Sequence, residues 1–208
     1  VSEIPTSFDG LPLLTPQNAT FYYFIGDRED NDINNLWGFF ESALAYVKDP
    51  SEIRRKDFSD YFDLAINIKG NGNSKITMGL YWISPDTFLN FDSRNEWYIY
   101  KSGKIPVDIV KQLPLIKSKF SAKEYLMIGD CLKSYLNSSR SVLKDFKELS
   151  FDAWNYSEQV NRDKKKEKNN TKISFSFADD EERLNLIYED EKKVDLKEFE
   201  KAIQKYNK

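Results

Sequence analysis

A turn built on two glycines and followed by an aspartate is the stretch of this sequence whose residue types suit a chemical role. Gly70 and Gly72 alternate with Lys69 and Asn71, and Asp92 lies 20 residues beyond Gly72. Glycine adopts backbone angles that are closed to other residues and lets a ligand approach the main chain. A carboxylate at a fixed distance from such a turn is a candidate for proton transfer or for contact with a base.

The elements on either side of this glycine turn (residues 68–72) decide whether it can hold an anion. A hydrophobic-x-Gly-x-Gly pattern between two helices is typical of a helix–hairpin–helix, and residues 68–72 fit it. The second helix then directs its free N–H groups and the positive end of its dipole at the ligand. The sequence therefore predicts a contact with DNA phosphate. The candidate DNA-binding residues are Lys69, Gly70, Asn71, Gly72, Ser74, Lys75 and Arg94.

Aromatic and amide side chains around Asp92 are the candidates for a base pocket. A flipped base needs an aromatic wall and a polar group that reads its edge. Trp82 and Trp97 are the candidate wall, and Asn90 and Asn95 are the candidate edge readers. The competing interpretation is structural: an aspartate that caps a helix, aromatic rings in the core, a plain turn and solvated lysines.

The residues that are absent exclude several kinds of chemistry. The chain has no histidine and a single cysteine, Cys131, so it has no Ser-His-Asp triad, no histidine zinc site and no four-thiolate cluster. No G-x-x-x-x-G-K-[ST] motif is present, so nucleotide hydrolysis is not assigned to these residues. We expect no metal and no cofactor in this chain.

Charge and hydropathy limit the setting and the partners. The formal net charge is −3 and the isoelectric point is near 5.3, so a basic field over the whole domain is missing. A local basic patch remains compatible with that balance. No apolar run has the roughly 18 residues of a membrane span, and one cysteine suits a reducing compartment. We expect a cytoplasmic protein with no membrane partner.

Helical periodicity dominates the first 160 residues. Apolar residues recur at three- and four-residue spacing, and Ser121 with Glu124 forms a capping-box pattern. Ser74 as an N-cap favours a helix after the glycine turn, and Asp92 can cap the helix that follows. The predicted helices cover residues 31–48, 56–67, 74–83, 93–103, 106–113, 121–137, 141–149 and 150–168.

A change of composition near residue 163 predicts two parts. Residues 1–165 are interpreted as a helical DNA-recognition domain with a helix–hairpin–helix-like centre. Residues 166–208 are interpreted as a polar linker and a small α/β appendage, with strands in 172–177 and 183–190 and a helix over 195–208. The predicted fold class is mainly α.

Residues 57–102 resemble the DNA glycosylases of the helix–hairpin–helix superfamily. In those enzymes the hairpin is followed by a helix, a loop with proline and an aspartate, matched here by Pro85 and Asp92. The bifunctional members place a lysine where this chain has Ser74, and the usual hairpin proline is replaced by Lys69. The resemblance therefore implies, at most, a monofunctional glycosylase in which Asp92 activates water, and it implies no lyase.

A longer stretch resembles a different family. The run "KGNGNSKITMGLYWISPDTFLNFDSRNEWYI", with "LWGFFESAL" upstream, resembles the region N-terminal to the AAA+ motor in McrB-type, modification-dependent restriction proteins, over about residues 1–165. The resemblance implies a role in phage defence. It also implies three partners: DNA, the AAA+ GTPase motor region of the same protein, and a separate nuclease subunit.

Three functions are consistent with these observations. The first is a non-catalytic DNA-binding module of a McrB-like restriction system, with modified duplex DNA as the candidate target. The second is a monofunctional glycosylase-like enzyme. The third is an interaction or spacer domain without DNA contact, which the acidic balance of the chain favours.

Overall fold

Seven α-helices make up most of the described part of the chain, so the prediction of a mainly helical fold is confirmed. The computed structural model describes residues 20–170 together with 174–176 and 185–187. The helices are α1 (Asp32–Lys48), α2 (Glu52–Asn67), α3 (Asn73–Ile83), α4 (Ser93–Tyr100), α5 (Val107–Val110), α6 (Ala122–Leu136) and α7 (Phe146–Asn170). None of these helices has the length and apolarity that crossing a membrane requires.

Two short strands follow the helices. β1 (Ser174–Ser176) pairs antiparallel with β2 (Asn185–Ile187), with Phe175 opposite Leu186. Both strands lie inside the two segments predicted to pair. The helix predicted over 195–208 lies outside the described residues, so the α/β appendage as a whole stays a prediction.

The helix α7 is continuous where the sequence predicted two helices, at 141–149 and 150–168, and that prediction is wrong. No glycine or proline interrupts residues 146–170, and their Lys and Glu residues are good helix formers. The chain divides into two compact units, Val1–Ser157 and Glu158–Lys208. That boundary falls within α7, and the helix continues into the segment predicted as a linker.

Aromatic rings on α1 and α2 form the centre of the core of the first unit. Residues 49–51 connect these two helices, which pack along each other. Phe58 stacks on Tyr46 and on Phe88, with ring centroids 5.5 and 5.3 Å apart. One turn later, Phe62 stacks on Tyr125 of α6 at 5.1 Å. Together these five rings connect α1, α2, α6 and the loop after α3.

Polar contacts fix α6 on this core. Its predicted capping box is present, with Ser121 Oγ accepting from the Glu124 amide and the Glu124 carboxylate accepting from the Ser121 amide. Asp63 of α2 accepts a hydrogen bond from the Ala122 amide at 2.7 Å. The buried Tyr125 hydroxyl donates to the Leu89 carbonyl at 2.8 Å. The start of α6 is therefore held against α2 and against the loop before α4.

The Glu124 carboxylate makes the stability of this helix start dependent on pH. The Lys117 ammonium and the Ser121 amide lower the pKa of Glu124 from its usual value to about 2. A carboxyl whose pKa is lowered by folding stabilises the protein above its unfolded pKa and loses that contribution as the pH falls.

We expect Glu124→Gln to lower the free energy of unfolding at pH 7 by about 1 kcal/mol, since the pair is partly open to solvent. The difference from the wild-type chain should shrink between pH 4.5 and 2 and vanish below it. Urea unfolding at a series of pH values measures this. A difference that stays constant down to pH 2 contradicts it.

Candidate nucleic-acid interface at the glycine turn

The glycine turn connects two helices, α2 ending at Asn67 and α3 beginning at Asn73. The helix predicted over 74–83 is therefore present and starts one residue early. Gly70 has a φ of +83°, a backbone angle that favours glycine, and a Cβ there would lie 2.7 Å from the Tyr23 ring. Gly72 has an extended backbone, with φ −170°, and a Cβ there would lie 3.7 Å from the Ser118 carbonyl oxygen, an ordinary contact. Only the first glycine is thus required by its backbone angle.

Two of the predicted DNA-binding side chains hold the turn itself. The buried Asn71 amide donates to the carbonyls of Phe21 and Ala65, both at 3.0 Å. The Lys75 ammonium donates to the carbonyls of Thr20 and Gly70 at 2.8 and 2.9 Å. These hydrogen bonds hold the turn against residues 20–21. The Asn71 and Lys75 side chains therefore stabilise the turn in this structure.

A polar cavity of about 530 Å³ opens beside the turn and is called the turn cavity below. Its lining includes Gly72, Ser74, Ser93, Glu96 and Lys117. The first turn of α3 borders it. Gly72 is the N-cap of that helix, and no side chain caps it. Because the first N–H groups of a helix have no partner within the helix, this end of α3 presents main-chain donors to the cavity.

The other two predicted cations lie elsewhere. The Lys69 ammonium is 5.0 Å from the centre of the Tyr23 ring, in a cation–π contact. Arg94 donates to the Ser157 hydroxyl at 3.2 Å and lies over the Trp154 ring. Neither residue lines the turn cavity. The structure therefore brings together only part of the predicted DNA-binding set, namely Gly70, Asn71, Gly72, Ser74 and Lys75.

Asp92 is the N-cap of α4. One carboxylate oxygen accepts hydrogen bonds from the amides of Arg94 and Asn95, at 3.0 and 2.9 Å. The other accepts from the side-chain amide of Asn90 at 2.9 Å. Both oxygens are engaged in holding the helix start, so the capping interpretation accounts for this residue.

The predicted base-pocket residues do not form an open pocket at Asp92, although Asn90 and Asn95 contact it. Asn90 and Asn95 are only 1% and 2% exposed, which leaves their amides no surface for the edge of a base. Trp97 stacks on Tyr156 with centroids 5.5 Å apart. Trp82 lies near the C-terminal end of α3, away from the turn cavity, in a separate apolar groove. No group of acidic or cysteine side chains among the described residues is arranged to hold a metal ion.

The apolar groove between α1 and α3 was not predicted from the sequence. Helical spacing predicts an apolar face of α1 that includes Trp37, Phe40 and Ala43, but of these three α1 buries only Ala43 in the core, together with Phe39 and Tyr46. Trp37 and Phe40 remain 61% and 40% exposed along the groove. The signal was present in the sequence, since α1 carries more apolar residues than one buried face requires.

These features define a mainly helical domain with a polar cavity at a glycine turn and an apolar groove on separate residues. A family model described as a domain of unknown function, DUF8425, matches residues 1–156, so the chain belongs to that family. Neither a curated protein nor a solved structure matches the chain.

The two glycines of the turn should respond differently to alanine. Gly70→Ala places a side chain at a positive φ and against Tyr23, so we expect a loss of about 1–2 kcal/mol in the free energy of unfolding. Gly72→Ala meets only ordinary contacts and should change it by less than about 0.5 kcal/mol. Chemical unfolding of the pair measures this, and equal losses would contradict the assignment.

Replacement of Asp92 should have the effect of removing a cap. Asp92→Ala removes three acceptor contacts, so we expect a loss of about 1 kcal/mol or somewhat more in the free energy of unfolding. Asp92→Asn keeps an oxygen for the α4 amides and should lose less than Asp92→Ala. If Asp92→Asn is the more damaging change in thermal or urea unfolding, the negative charge matters more than the capping geometry.

Proposed function

We propose that this domain is a DNA-binding module of a McrB-like restriction system and that the glycine-turn end of α3 contacts the phosphate backbone. The observation that carries the proposal is the N-terminus of α3, which has no side-chain cap and borders a polar cavity. Main-chain N–H groups at such an end, with the helix dipole behind them, favour an anion. The helix–hairpin–helix assignment of this region is part of the same proposal.

The side chains around the cavity can contact a phosphate through hydrogen bonds, but they carry little positive charge. Ser74 and Ser93 offer hydroxyl donors, and Lys117 offers an ammonium that also pairs with Glu124. The Lys75 ammonium already donates to two main-chain carbonyls, and Glu96 adds a negative charge to the lining. Binding would therefore depend on a few hydrogen bonds, and a sequence-independent contact of one or two phosphates fits this arrangement.

The selection of a modified base rests on the resemblance to McrB-type proteins alone. The burial of Asn90 and Asn95 and the capping role of Asp92 give no support to a base pocket at these residues. For the same reason no observation favours glycosylase chemistry at Asp92. The binding module is accordingly proposed as non-catalytic, with the motor and nuclease as partners outside these residues.

A charge placed at the start of α3 tests the proposal. Ser74 is exposed and lines the cavity, so Ser74→Glu should repel phosphate while the carboxylate suits the helix N-terminus. We expect the affinity for duplex DNA to fall about tenfold with no loss of stability. The slope of the logarithm of the binding constant against the logarithm of the salt concentration should change from about −2 to about −1.

Ser134→Glu on the exposed surface of α6 is the matched control for the change in net charge. The titration uses plain, methylated and hydroxymethylated duplexes at stated salt concentrations. Equal losses for Ser74→Glu and Ser134→Glu would place the DNA contact elsewhere. Absence of binding to all three duplexes at low salt would overturn the proposal and leave the interaction-domain alternative. Release of free base by the wild-type chain would establish an enzyme instead.

A further inference from the structure

The apolar groove between α1 and α3 is a second surface, lined by other residues than the turn cavity. It encloses about 610 Å³ and shares no lining residue with the turn cavity. Its walls carry large side chains that remain open to solvent: Trp37 at 61% exposure, Trp82 at 47%, Tyr22 at 46% and Phe40 at 40%. An exposed aromatic groove of this kind marks a binding surface, because covering such rings with an apolar partner removes a large unfavourable contact with water.

The chemistry of the lining selects the secondary structure of the occupant. Among the residues that the structure describes, the side-chain polar groups on the walls are the Tyr22 hydroxyl and the indole N–H groups of Trp37 and Trp82. An extended peptide in the groove would leave main-chain N–H and C=O groups without partners, which is costly. A helix pairs these groups internally and presents apolar residues at three- and four-residue spacing. Residues 20–157 contain no strand whose edge an extended peptide could join.

The charge beside the groove indicates the sign of the charge that an occupant should carry. Residues 27–41 hold five carboxylates and a single cation, Arg28, which lies over the Tyr22 ring at the edge of the groove. Asp30 lies in the segment that leads into α1, and Glu41 follows Trp37 by four residues, so the two side chains share a helix face. Both carboxylates are exposed. Two grooves facing each other in a dimer would set these acids against each other, and an anionic membrane would meet the same repulsion.

We propose that the groove docks an amphipathic helix of a partner protein whose apolar stripe is flanked by basic residues. Trp37, Phe40 and Trp82 receive the apolar stripe. Glu29, Asp30 and Glu41 face the basic flank and fix the direction in which the helix lies.

Two synthetic helices test the charge of the occupant. One is built from leucine and lysine over about 18 residues, long enough for a stable amphipathic helix, and the other carries glutamate at every lysine position. Each is titrated into the full 208-residue chain, with tryptophan fluorescence and calorimetry as readouts. We expect the basic helix to bind at least tenfold more tightly than the acidic one. Failure of both to bind, or tighter binding of the acidic helix, overturns the proposal.

Variants then locate the site. Trp37→Ala with Phe40→Ala should weaken the basic helix at least tenfold. Trp154→Ala, which removes another half-exposed tryptophan, should leave its affinity unchanged and serves as the matched control. Reversal of Glu29, Asp30 and Glu41 to lysine should transfer the preference to the acidic helix. Urea unfolding of each variant establishes that it is folded.

Three other results would contradict the proposal. Equal binding to the wild-type chain and the Trp37/Phe40 variant would place the contact outside the groove. Sedimentation that shows self-association, lost in that variant, would identify a second copy of the chain as the occupant. Attachment to phosphatidylcholine vesicles, lost in the same variant, would identify a membrane surface. None of these results depends on whether the chain binds DNA.

Discussion

The position of α3 depends on the buried side-chain amide of Asn73. Its oxygen accepts from the Phe120 amide at 2.8 Å, and its nitrogen donates to the Lys117 carbonyl at 2.7 Å. One turn later the Thr77 hydroxyl accepts from the Phe91 amide at 2.8 Å. Leaving a buried main-chain group unpaired costs about 1–3 kcal/mol, so these bonds strongly favour one placement of the helix. That placement sets the turn cavity at one end of α3 and a wall of the apolar groove at the other.

The local features of this chain were readable from its sequence, whereas the long-range ones were not. Spacing and caps predicted the helices except for the continuity of α7, and Asp92 and Ser121 start α4 and α6 as their residue types indicate. Lys75 and Asn71 were assigned to a ligand because their types suit phosphate. Their actual partners are the carbonyls of Thr20, Phe21, Ala65 and Gly70, and the first two lie 50 or more residues away, where no local pattern can indicate them.

Several charged groups of the described chain pair with each other. Arg55 pairs with Asp130, Arg140 with Asp108, and Lys147 with Asp86. Lys117 is likewise held by Glu124. A surface on which cations and carboxylates neutralise each other produces little long-range attraction for a polyanion. The two contacts proposed above, main-chain donors at α3 and apolar area at the groove, are accordingly short-range ones.

Phe21 belongs to both surfaces at once. Its carbonyl accepts the hydrogen bond from Asn71 that holds the glycine turn, and its ring lines the apolar groove, over Gly79 of α3. A ligand that moves this ring would also displace the Phe21 main chain, whose carbonyl holds the turn through Asn71. Such a movement would link the two proposed binding surfaces thermodynamically. If an occupant of the groove changes the affinity of the turn for an anion by some factor, then the anion changes the affinity of the groove for that occupant by the same factor. This follows because the free-energy changes around a closed binding cycle sum to zero.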